Sequence, residues 1–247
     1  MGSTTPESRK SSSEPGSPDD AIDPFSMCGI ASAELELEKA DVLFSEGDEV
    51  EHVYVVRSGL CYRYRYLKDG RRQIVDLTFP GDFIGLEALT QATFVSSLTA
   101  LTPARVTAYS VKEFIQRCHA DPPLVRMLLE WMARGHSILT KRLVGGAHGS
   151  ASQRIAHLLL EIRLRALYSI QLTPIEKDAE TPFLGADENE LNLKIPQAII
   201  ADTLGLSIVH VSRTLASLRE EGLIEQSATG LRYRNLEGLK DLALWDD

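Results

Sequence analysis

The sequence has few cysteines and no long apolar segment. Its 247 residues include three cysteines, Cys28, Cys61 and Cys118, which are too few and too scattered for a disulfide framework or a paired-cysteine metal site. No run approaches the about 18 apolar residues that cross a bilayer, and the N-terminus has no apolar signal-peptide core. We therefore expect a cytoplasmic protein that has no metal site and no membrane partner.

The sequence also lacks an excess of positive charge. The formal net charge is −9, which is unusual for a protein that binds nucleic acid. The acidic residues are unevenly distributed, because between Asn192 and Arg234 five basic side chains stand against four acidic ones. Since this segment is nearly neutral, an anionic partner can approach it.

The N-terminal half combines an irregular leader with a repeated strand pattern. Residues 1–26 are rich in serine, proline and charge, which predicts a disordered leader. Short alternating runs follow over residues 27–121, among them HVYVVR, LCYRYRYL and RRQIVDLT, and turn signals such as Asp69-Gly70 separate them. This spacing predicts an antiparallel β-barrel or jelly roll that serves as a sensor domain.

A long helix with a wide apolar stripe is predicted over residues 122–147. A stripe that contains tryptophan and glycine suits a homodimer interface, and packing against the barrel alone is the alternative. Gly145-Gly146 is expected to break the helix and to act as a hinge. An acidic connection without an assigned role runs from Ser169 to Glu190. The predicted interface residues are Leu124, Leu128, Trp131, Gly135, Ile138 and Arg142.

Residues 148–247 contain a helix-turn-helix pattern. Ser150 and Gln153 predict a capping box for a first helix. Further on, PQAIIADTLG predicts a short helix, and GLSIVHVSRTLASLREEGLI predicts a turn and a second helix with Ser207 as its N-cap. After these, ATGLRYRNL predicts two short strands around a turn, which suits the wing of a winged helix.

The second helix of this pattern, Ile208 to Glu220, has two distinct faces. Val211, Leu215 and Leu218 lie on an apolar face, with Ile208 and Thr214 at its margins. The opposite face is small and polar and carries Val209, Ser212 and Arg213, so it can lie close against another surface. An ordinary pair of helices in an all-helical core is the alternative, and the following strands argue against it.

In this order of elements the chain resembles the CRP/FNR family of bacterial transcription regulators. Two segments, LFSEGDEVEHVYVVRSG and LKDGRRQIVDLTFPGDFIGLEAL, are similar to the family's barrel motifs. In the second of them, the residues DGRRQI and FPGDFIGLE are most similar to the FNR- and FixK-like branches. The resemblance implies an α+β fold with a cyclic-nucleotide-binding-like barrel, a dimerisation helix and a C-terminal winged helix-turn-helix. It also implies a homodimer that binds double-stranded DNA at a near-palindromic operator and recruits or blocks RNA polymerase.

The resemblance also assigns roles to residues of the recognition helix. The family reads bases with the pattern E-x-x-[SG]-R, which Val209, Ser212 and Arg213 match here. Arg213 suits a guanine edge, whereas Val209 departs from the pattern and suits a thymine methyl group. His210 lies at the edge of this face, where a DNA contact and simple exposure are both open. The candidates for phosphate contacts are Lys194, Gln197, Ser207, Arg232 and Arg234.

The effector is less well indicated than the DNA contacts. Members that bind cyclic AMP carry a Gly-Glu pair and an Arg-Ser pair, but here Gly85 precedes Leu86, and no arginine lies between Phe94 and Ser97, which argues against cyclic AMP. Three scattered cysteines cannot supply the four thiolates of the FNR iron–sulfur cluster. We therefore expect no cofactor, although His52 and His119 leave haem or another small effector open.

A redox role for Cys61 is a further hypothesis. In the predicted strand Cys61 shares a face with Arg63 and Arg65, and neighbouring cations would stabilise its thiolate. A change in oxidation state would then alter operator binding.

Two other functions compete with DNA reading. One is a cyclic-nucleotide-like ligand sensor module that controls a protein partner, and Arg213 on an exposed helix argues against it. The other is an enzyme built on a cupin-like barrel, which needs a cluster of His and Glu ligands on neighbouring strands. Because only His52 lies in the strand region, we expect no enzymatic activity.

Overall fold

The computed structural model describes residues 30–172, 189–192, 194–227 and 230–245. The expected leader over residues 1–26 and most of the connection between Ser169 and Glu190 lie outside the described residues. The described chain forms an N-terminal β domain, a long helix, and a C-terminal domain of helices with a small sheet.

The described N-terminal domain has eight strands in two antiparallel four-stranded sheets. The strands are β1 (Ser32–Leu37), β2 (Val42–Phe44), β3 (His52–Ser58), β4 (Cys61–Tyr66), β5 (Arg72–Thr78), β6 (Phe83–Ile84), β7 (Ser97–Ala100) and β8 (Ala104–Ser110). The sheet orders are β1-β8-β3-β6 and β2-β7-β4-β5. Phe44, Val56, Leu98 and Val106 are buried together in an apolar cluster drawn from both sheets. The expected antiparallel barrel or jelly roll is confirmed.

Two glycines allow the sharp turns on either side of β4. Gly70 has φ +80° in the β4–β5 hairpin, where its backbone N–H donates to the carbonyl of Leu67 at 2.9 Å. Gly59 also has φ +80°, and a Cβ atom there would lie 2.2 Å from the carbonyl oxygen of Pro103. A side chain at Gly59 would therefore clash with backbone as well as strain it. The Asp69-Gly70 hairpin predicted from the sequence is confirmed.

Cys61 lies on the inner face of the barrel, which contradicts the stabilised thiolate on which the redox hypothesis depends. The residue is 0% exposed, and burial raises the pKa of its thiol to about 12. Arg63 shares its face but is paired with Glu87, so its charge is already neutralised. The strand pattern placed Cys61 beside arginines, but it could not show that this face is the interior.

We expect the Cys61 thiol to be chemically inert in the folded protein. At pH 8, a thiol of pKa about 12 has roughly a thousandfold less thiolate than a free thiol of pKa about 8.5. Iodoacetamide should therefore label Cys61 only after denaturation, whereas the half-buried Cys118 provides a comparison in the same sample. Mass spectrometry of peptides measures both sites. Labelling of native Cys61 as fast as in denaturant would contradict the prediction.

Two helices follow the barrel: α1 (Val111–Ala120) and α2 (Pro122–His148). Asp121 caps α2 by accepting a hydrogen bond from the backbone N–H of Leu124 at 3.2 Å. The expected break at Gly145-Gly146 is wrong, because α2 continues through both glycines to His148. Glycine costs about 1 kcal/mol in a helix, which packing on the rest of the helix can offset. The helix ends where Gly149 takes an extended conformation.

The next helix, α3 (Ala151–Leu172), starts at the predicted capping box. The backbone N–H of Ser150 donates to Gln153 Oε1 at 2.8 Å, and the backbone N–H of Gln153 donates to Ser150 Oγ at 3.3 Å. This reciprocal pair satisfies two donors at the helix start. The capping-box prediction is confirmed.

The stripe predicted as a dimer interface on α2 mostly faces the chain's own core. Leu124 and Leu128 are buried against the barrel, and the ring of Trp131 packs edge-on to Phe83 at 5.2 Å. Arg142 bonds Glu161 of α3. The interface prediction is therefore wrong for Leu124 and Leu128, which the chain's own core covers. Trp131 and Arg142 are half-buried, and their interface role stays a prediction. The wide apolar stripe of α2 comprises two neighbouring faces of the helix. Helical periodicity does not show which of the two faces packs on the barrel.

A different face of α2 is exposed and apolar. Leu129, Met132, Leu139 and Leu143 are 60%, 48%, 54% and 74% exposed. Together with half-buried Val125 and exposed His136 they recur at alternating steps of four and three residues, as in a coiled-coil heptad. Gly135 and Ile138 are half-buried beside this face, and their interface role stays a prediction. We call the set the α2 seam, which comprises Val125, Leu129, Met132, His136, Leu139 and Leu143.

The C-terminal domain packs its helices around one buried cluster. After α3 the elements are β9 (Glu190–Leu191), α4 (Gln197–Leu204), α5 (Ile208–Glu220), β10 (Ile224–Gln226), β11 (Leu231–Tyr233) and α6 (Leu236–Ala243). The three strands form an antiparallel sheet in the order β10-β11-β9. The wing hairpin is confirmed, whereas β9 was not foreseen because two residues are too few for a periodic signal. With strands present, the all-helical alternative is wrong.

Candidate nucleic-acid interface

The turn between α4 and α5 sets the geometry of the candidate site. The two helices are bent by 108° relative to each other, which is typical of a helix-turn-helix. Gly205 adopts φ +63° at the end of α4, and Ser207 Oγ accepts a hydrogen bond from the backbone N–H of His210 at 3.2 Å. The sequence folds this way because glycine tolerates the left-handed turn and serine caps the next helix.

The inner face of α5 packs into the domain core. Val211 and Leu218 are fully buried, Thr214 is buried, and Leu215 is half-buried. The predicted bounds of this helix, Ile208 to Glu220, and its apolar face are confirmed. Thr214 lies deeper than its marginal position suggested.

The outer face of α5 presents all four predicted base-contacting residues together. Val209, His210, Ser212 and Arg213 are exposed. Val209, His210 and Arg213 line an open cavity with Ser207, Thr214, Ser217 and with Ser152 of α3. The surface is concave beside α5, and most of the side chains that line it are small. Another macromolecule can therefore approach the helix closely.

Two residues of this surface were missed by the sequence interpretation. Ile208 is 55% exposed beside Val209, although its helical position had placed it at the margin of the buried face. Ser152 comes from the first turn of α3, far from α5 in the sequence, so only the tertiary structure brings it here. The position of Ile208 directly after the N-cap was the available signal for its exposure.

Arg213 is an uncompensated cation within the part of the chain that the structure describes. It is exposed, and no carboxylate of the described residues lies within ion-pair distance. Lys194 is exposed, Gln197 is half-buried in the first turn of α4, and Ser207 is exposed at the cap of α5. These side chains give the helix-turn-helix surface hydrogen-bond donors and positive charge.

The wing arginines are engaged within the domain. Arg232 Nη2 donates to Glu190 Oε2 at 2.8 Å, and Arg234 Nε lies 3.0 Å from Glu225 Oε2. Both pairs are partly exposed, so each contributes only about 0–1 kcal/mol and can be exchanged for another anion. Their predicted phosphate contacts stay a prediction that requires this exchange.

Sequence comparison assigns both halves of this architecture. Residues 34–121 match the family described as cyclic nucleotide-binding domain, and residues 153–242 match the Crp-like helix-turn-helix domain. The chain is similar to the nitrogen fixation regulation protein FixK of Bradyrhizobium diazoefficiens, with 30% identity over 190 residues that cover 77% of this chain and 73% of FixK. This chain belongs to the CRP/FNR family of transcription regulators.

Solved structures support the same assignment for this CRP/FNR regulator. FixK2 from Bradyrhizobium japonicum superimposes with a TM-score of 0.72 at 25% identity, over 86% of this chain and 98% of that chain. A CRP/FNR-family regulator from Thermus thermophilus shares the fold with a TM-score of 0.58 at 21% identity, over 85% of this chain and 98% of that one. The protein is therefore a transcription regulator with a helix-turn-helix DNA-binding domain, and it is not an enzyme. The matching helix-turn-helix domain argues against the alternative of a cyclic-nucleotide-like ligand sensor module that controls a protein partner.

The barrel of this CRP/FNR regulator has a charged pair beside Gly85-Leu86, the segment that departs from the Gly-Glu motif expected for cyclic AMP. Glu87, just after Gly85-Leu86, pairs with Arg63 of β4, and Arg63 Nε also donates to Ser96 Oγ at 3.0 Å. Inspection of the cyclic-AMP motifs in the sequence did not identify Arg63 as a cation at this place, because Arg63 lies on β4, outside those motifs. An anionic ligand at this place would have to compete with Glu87 for Arg63.

Aromatic rings fill the barrel of this CRP/FNR regulator. Phe44 and Phe94 stack with ring centroids 3.6 Å apart, and Tyr54 lies 5.9 Å from Phe44. Among the described residues, no three His, Cys, Asp or Glu side chains lie close enough to hold a metal ion. Over those same residues no single helix is long and apolar enough to span a membrane, and α4 with α5 meets that threshold only as the bent pair.

Proposed function

We propose that the protein is a homodimer that reads a near-palindromic operator with the helix Ile208–Glu220 of each subunit. The observation that carries the proposal is the exposed face of α5, where Arg213, which has no carboxylate partner among the described residues, stands beside small side chains. The major groove of B-DNA is about 12 Å wide and admits an α-helix whose exposed side chains can reach the base edges.

The base contacts follow from the chemistry of this face. Arg213 can donate two parallel hydrogen bonds to O6 and N7 of a guanine. Val209 cannot accept a hydrogen bond from cytosine or adenine, but with its exposed neighbour Ile208 it can pack against thymine methyl groups. Ser212 offers a small hydroxyl, and His210 a ring at the edge of the cavity. We therefore propose half-sites that differ from those of relatives with glutamate at the position of Val209.

Phosphate contacts would fix the register of the two domains on DNA. Ser207 and Lys194 are exposed near the start of α5 and α4, and Gln197 lies in the first turn of α4. Arg232 and Arg234 can each replace their carboxylate with a phosphate at small cost, because surface ion pairs are weak. Contacts of this kind position the protein without reading sequence.

The α2 seam supports the homodimer. Its heptad spacing and four exposed large apolar side chains suit a parallel coiled coil with a second copy of the chain. A symmetric pair would place two recognition helices about 34 Å apart, in successive major grooves. We further propose that the dimer recruits or blocks RNA polymerase, and that it acts in the bacterial cytoplasm, where the DNA lies.

Selection of DNA from a random pool by the purified protein tests this function. We expect enrichment of two inverted half-sites whose centres are about 10 base pairs apart, each with a guanine and neighbouring thymines. A single half-site would contradict the symmetric dimer. Failure to enrich any sequence would contradict DNA reading.

A further inference from the structure

The barrel and the C-terminal domain share one buried cluster. Leu60, Ile74, Leu77 and Phe79 of the barrel belong to the same apolar core as the inner faces of α3, α4 and α5. Strand β5 lies directly against α4, the first helix of the helix-turn-helix. The orientation of the DNA-reading domain is therefore set partly by the barrel surface.

Polar contacts join β5 to α4 at this boundary. Arg72 Nε and Nη2 reach Asp202 Oδ2 at 2.8 and 2.7 Å, and Gln73 Nε2 donates to the carbonyl oxygen of Thr203 at 3.0 Å. Arg72 is itself held by the barrel, because its Nη1 donates to Tyr62 Oη at 3.1 Å. Hydrogen bonds and charge-assisted pairs depend on direction as well as distance. These contacts therefore favour one orientation of α4 against β5, which apolar packing alone would not fix.

A second set of charges joins the end of β5 to α3. The guanidinium of Arg165 is buried, lies 2.7 Å from Asp76 and 2.5 Å from Asp82, and stacks over the ring of Phe79 at 5.0 Å. Burial alone would raise the pKa of Asp76, but Arg165 and Arg142 hold it below its ordinary value. Both carboxylates belong to the barrel and the arginine to the C-terminal domain.

The dimerisation helix takes part in the same network. Arg142 of α2 pairs with the buried Glu161 of α3, and its Nη1 donates to the carbonyl oxygen of Val75 at 2.7 Å. Removing one member would leave the other as a buried charge without its partner, which destabilises the packed arrangement of the two domains. Three parts of the chain, β5, α2 and α3, thus meet in one fixed geometry.

We propose that this network is a domain clamp, in which Arg72, Asp202 and Arg165 are positioning residues for DNA reading. The proposal rests on the proposed function. The clamped arrangement leaves Val209, Ser212 and Arg213 exposed, so it is compatible with DNA. Loosening the clamp lets the helix-turn-helix sample other orientations, and only a fraction of the molecules then presents both recognition helices correctly.

Charge exchange at Arg72 and Asp202 tests the clamp. Arg72→Asp, Asp202→Arg and the double variant are compared with Arg71→Asp, which makes the same charge change on the neighbouring residue. Arg71 is exposed and pairs with Asp69 at the hairpin tip, away from the C-terminal domain. Affinity for the selected operator is measured by fluorescence anisotropy, and hydrogen exchange of α4 is measured without DNA.

We expect Arg72→Asp and Asp202→Arg each to weaken operator binding about tenfold and to speed hydrogen exchange in α4. The double variant should return affinity to within about threefold of wild type, because the ion pair is restored with reversed polarity. Arg71→Asp should behave as wild type in both measurements. A defect caused by either new side chain on its own would not be rescued by exchanging the charges.

The outcomes separate the clamp from the function on which it rests. If wild type binds the operator tightly and Arg72→Asp binds equally well, the clamp is overturned and the proposed function stands. Unchanged hydrogen exchange in α4, or a double variant as weak as the single ones, also overturns the clamp. If wild type binds no DNA, the proposed function fails, and a role of the clamp in DNA reading fails with it.

Discussion

Leu139→Glu should make the protein monomeric and weaken its operator binding at least about a hundredfold. Leu139 is 54% exposed in the single chain, so glutamate there leaves the folded subunit nearly unaffected. In the dimer the two-fold axis would bring two such residues together in the seam, and each buried, unpaired carboxylate costs several kcal/mol. A monomer also loses the gain in effective concentration that comes from binding both half-sites at once.

Sedimentation equilibrium and operator titration measure the two effects. Ser137→Glu is the matched control, because Ser137 is an exposed residue of the same helix outside the α2 seam. It should remain dimeric and bind the operator as wild type does. A Leu139→Glu protein that stays dimeric at micromolar concentration would refute the seam as the interface.

Arg213→Ala should remove sequence discrimination at one base pair of each half-site. A bidentate arginine–guanine pair contributes about 1–3 kcal/mol of discrimination, and a symmetric dimer makes two of them. We expect operator binding to fall by about tenfold or more, while binding to unrelated DNA changes little. Wild type should lose the same affinity when the guanine is replaced, and Arg213→Ala should be insensitive to that replacement.

The control for this experiment is Arg219→Ala. Arg219 is exposed on the same helix and carries the same charge, but it lies in the last turn, whereas bases are read by the N-terminal part of a recognition helix. Its removal should weaken specific and non-specific binding by the same small factor. If Arg213→Ala also weakens both equally, Arg213 contacts phosphate and does not read a base.

Local patterns predicted much of the site. The bounds of α5 follow from Ser207 as N-cap and from the spacing of Val211 and Leu218, and the structure reproduces them. The start of α3 follows from a reciprocal cap between Ser150 and Gln153. These features depend on residues within one or two helical turns, so the sequence contains all of the interacting groups.

Predictions failed where a face had to be assigned to a partner. Cys61 and Arg63 were placed on one face of β4, but not in the barrel interior. Leu124 and Leu128 were placed on an apolar stripe, but the stripe packs on the barrel and leaves Leu139 exposed. Periodicity determines which residues share a face, and it contains no information on what covers that face.

The sequence by itself determined the two domains, the helix-turn-helix, its wing and the residues on the outer face of α5. It could do so because caps, turns and periodic faces are local. Only the tertiary structure decided which side of α2 remains free and that Arg72 meets Asp202, 130 positions along the chain. It also placed Arg165 between two barrel carboxylates. Such contacts depend on how separate elements pack in space. They form because the contacts of the whole fold favour that packing together, and no local segment of the sequence contains this information.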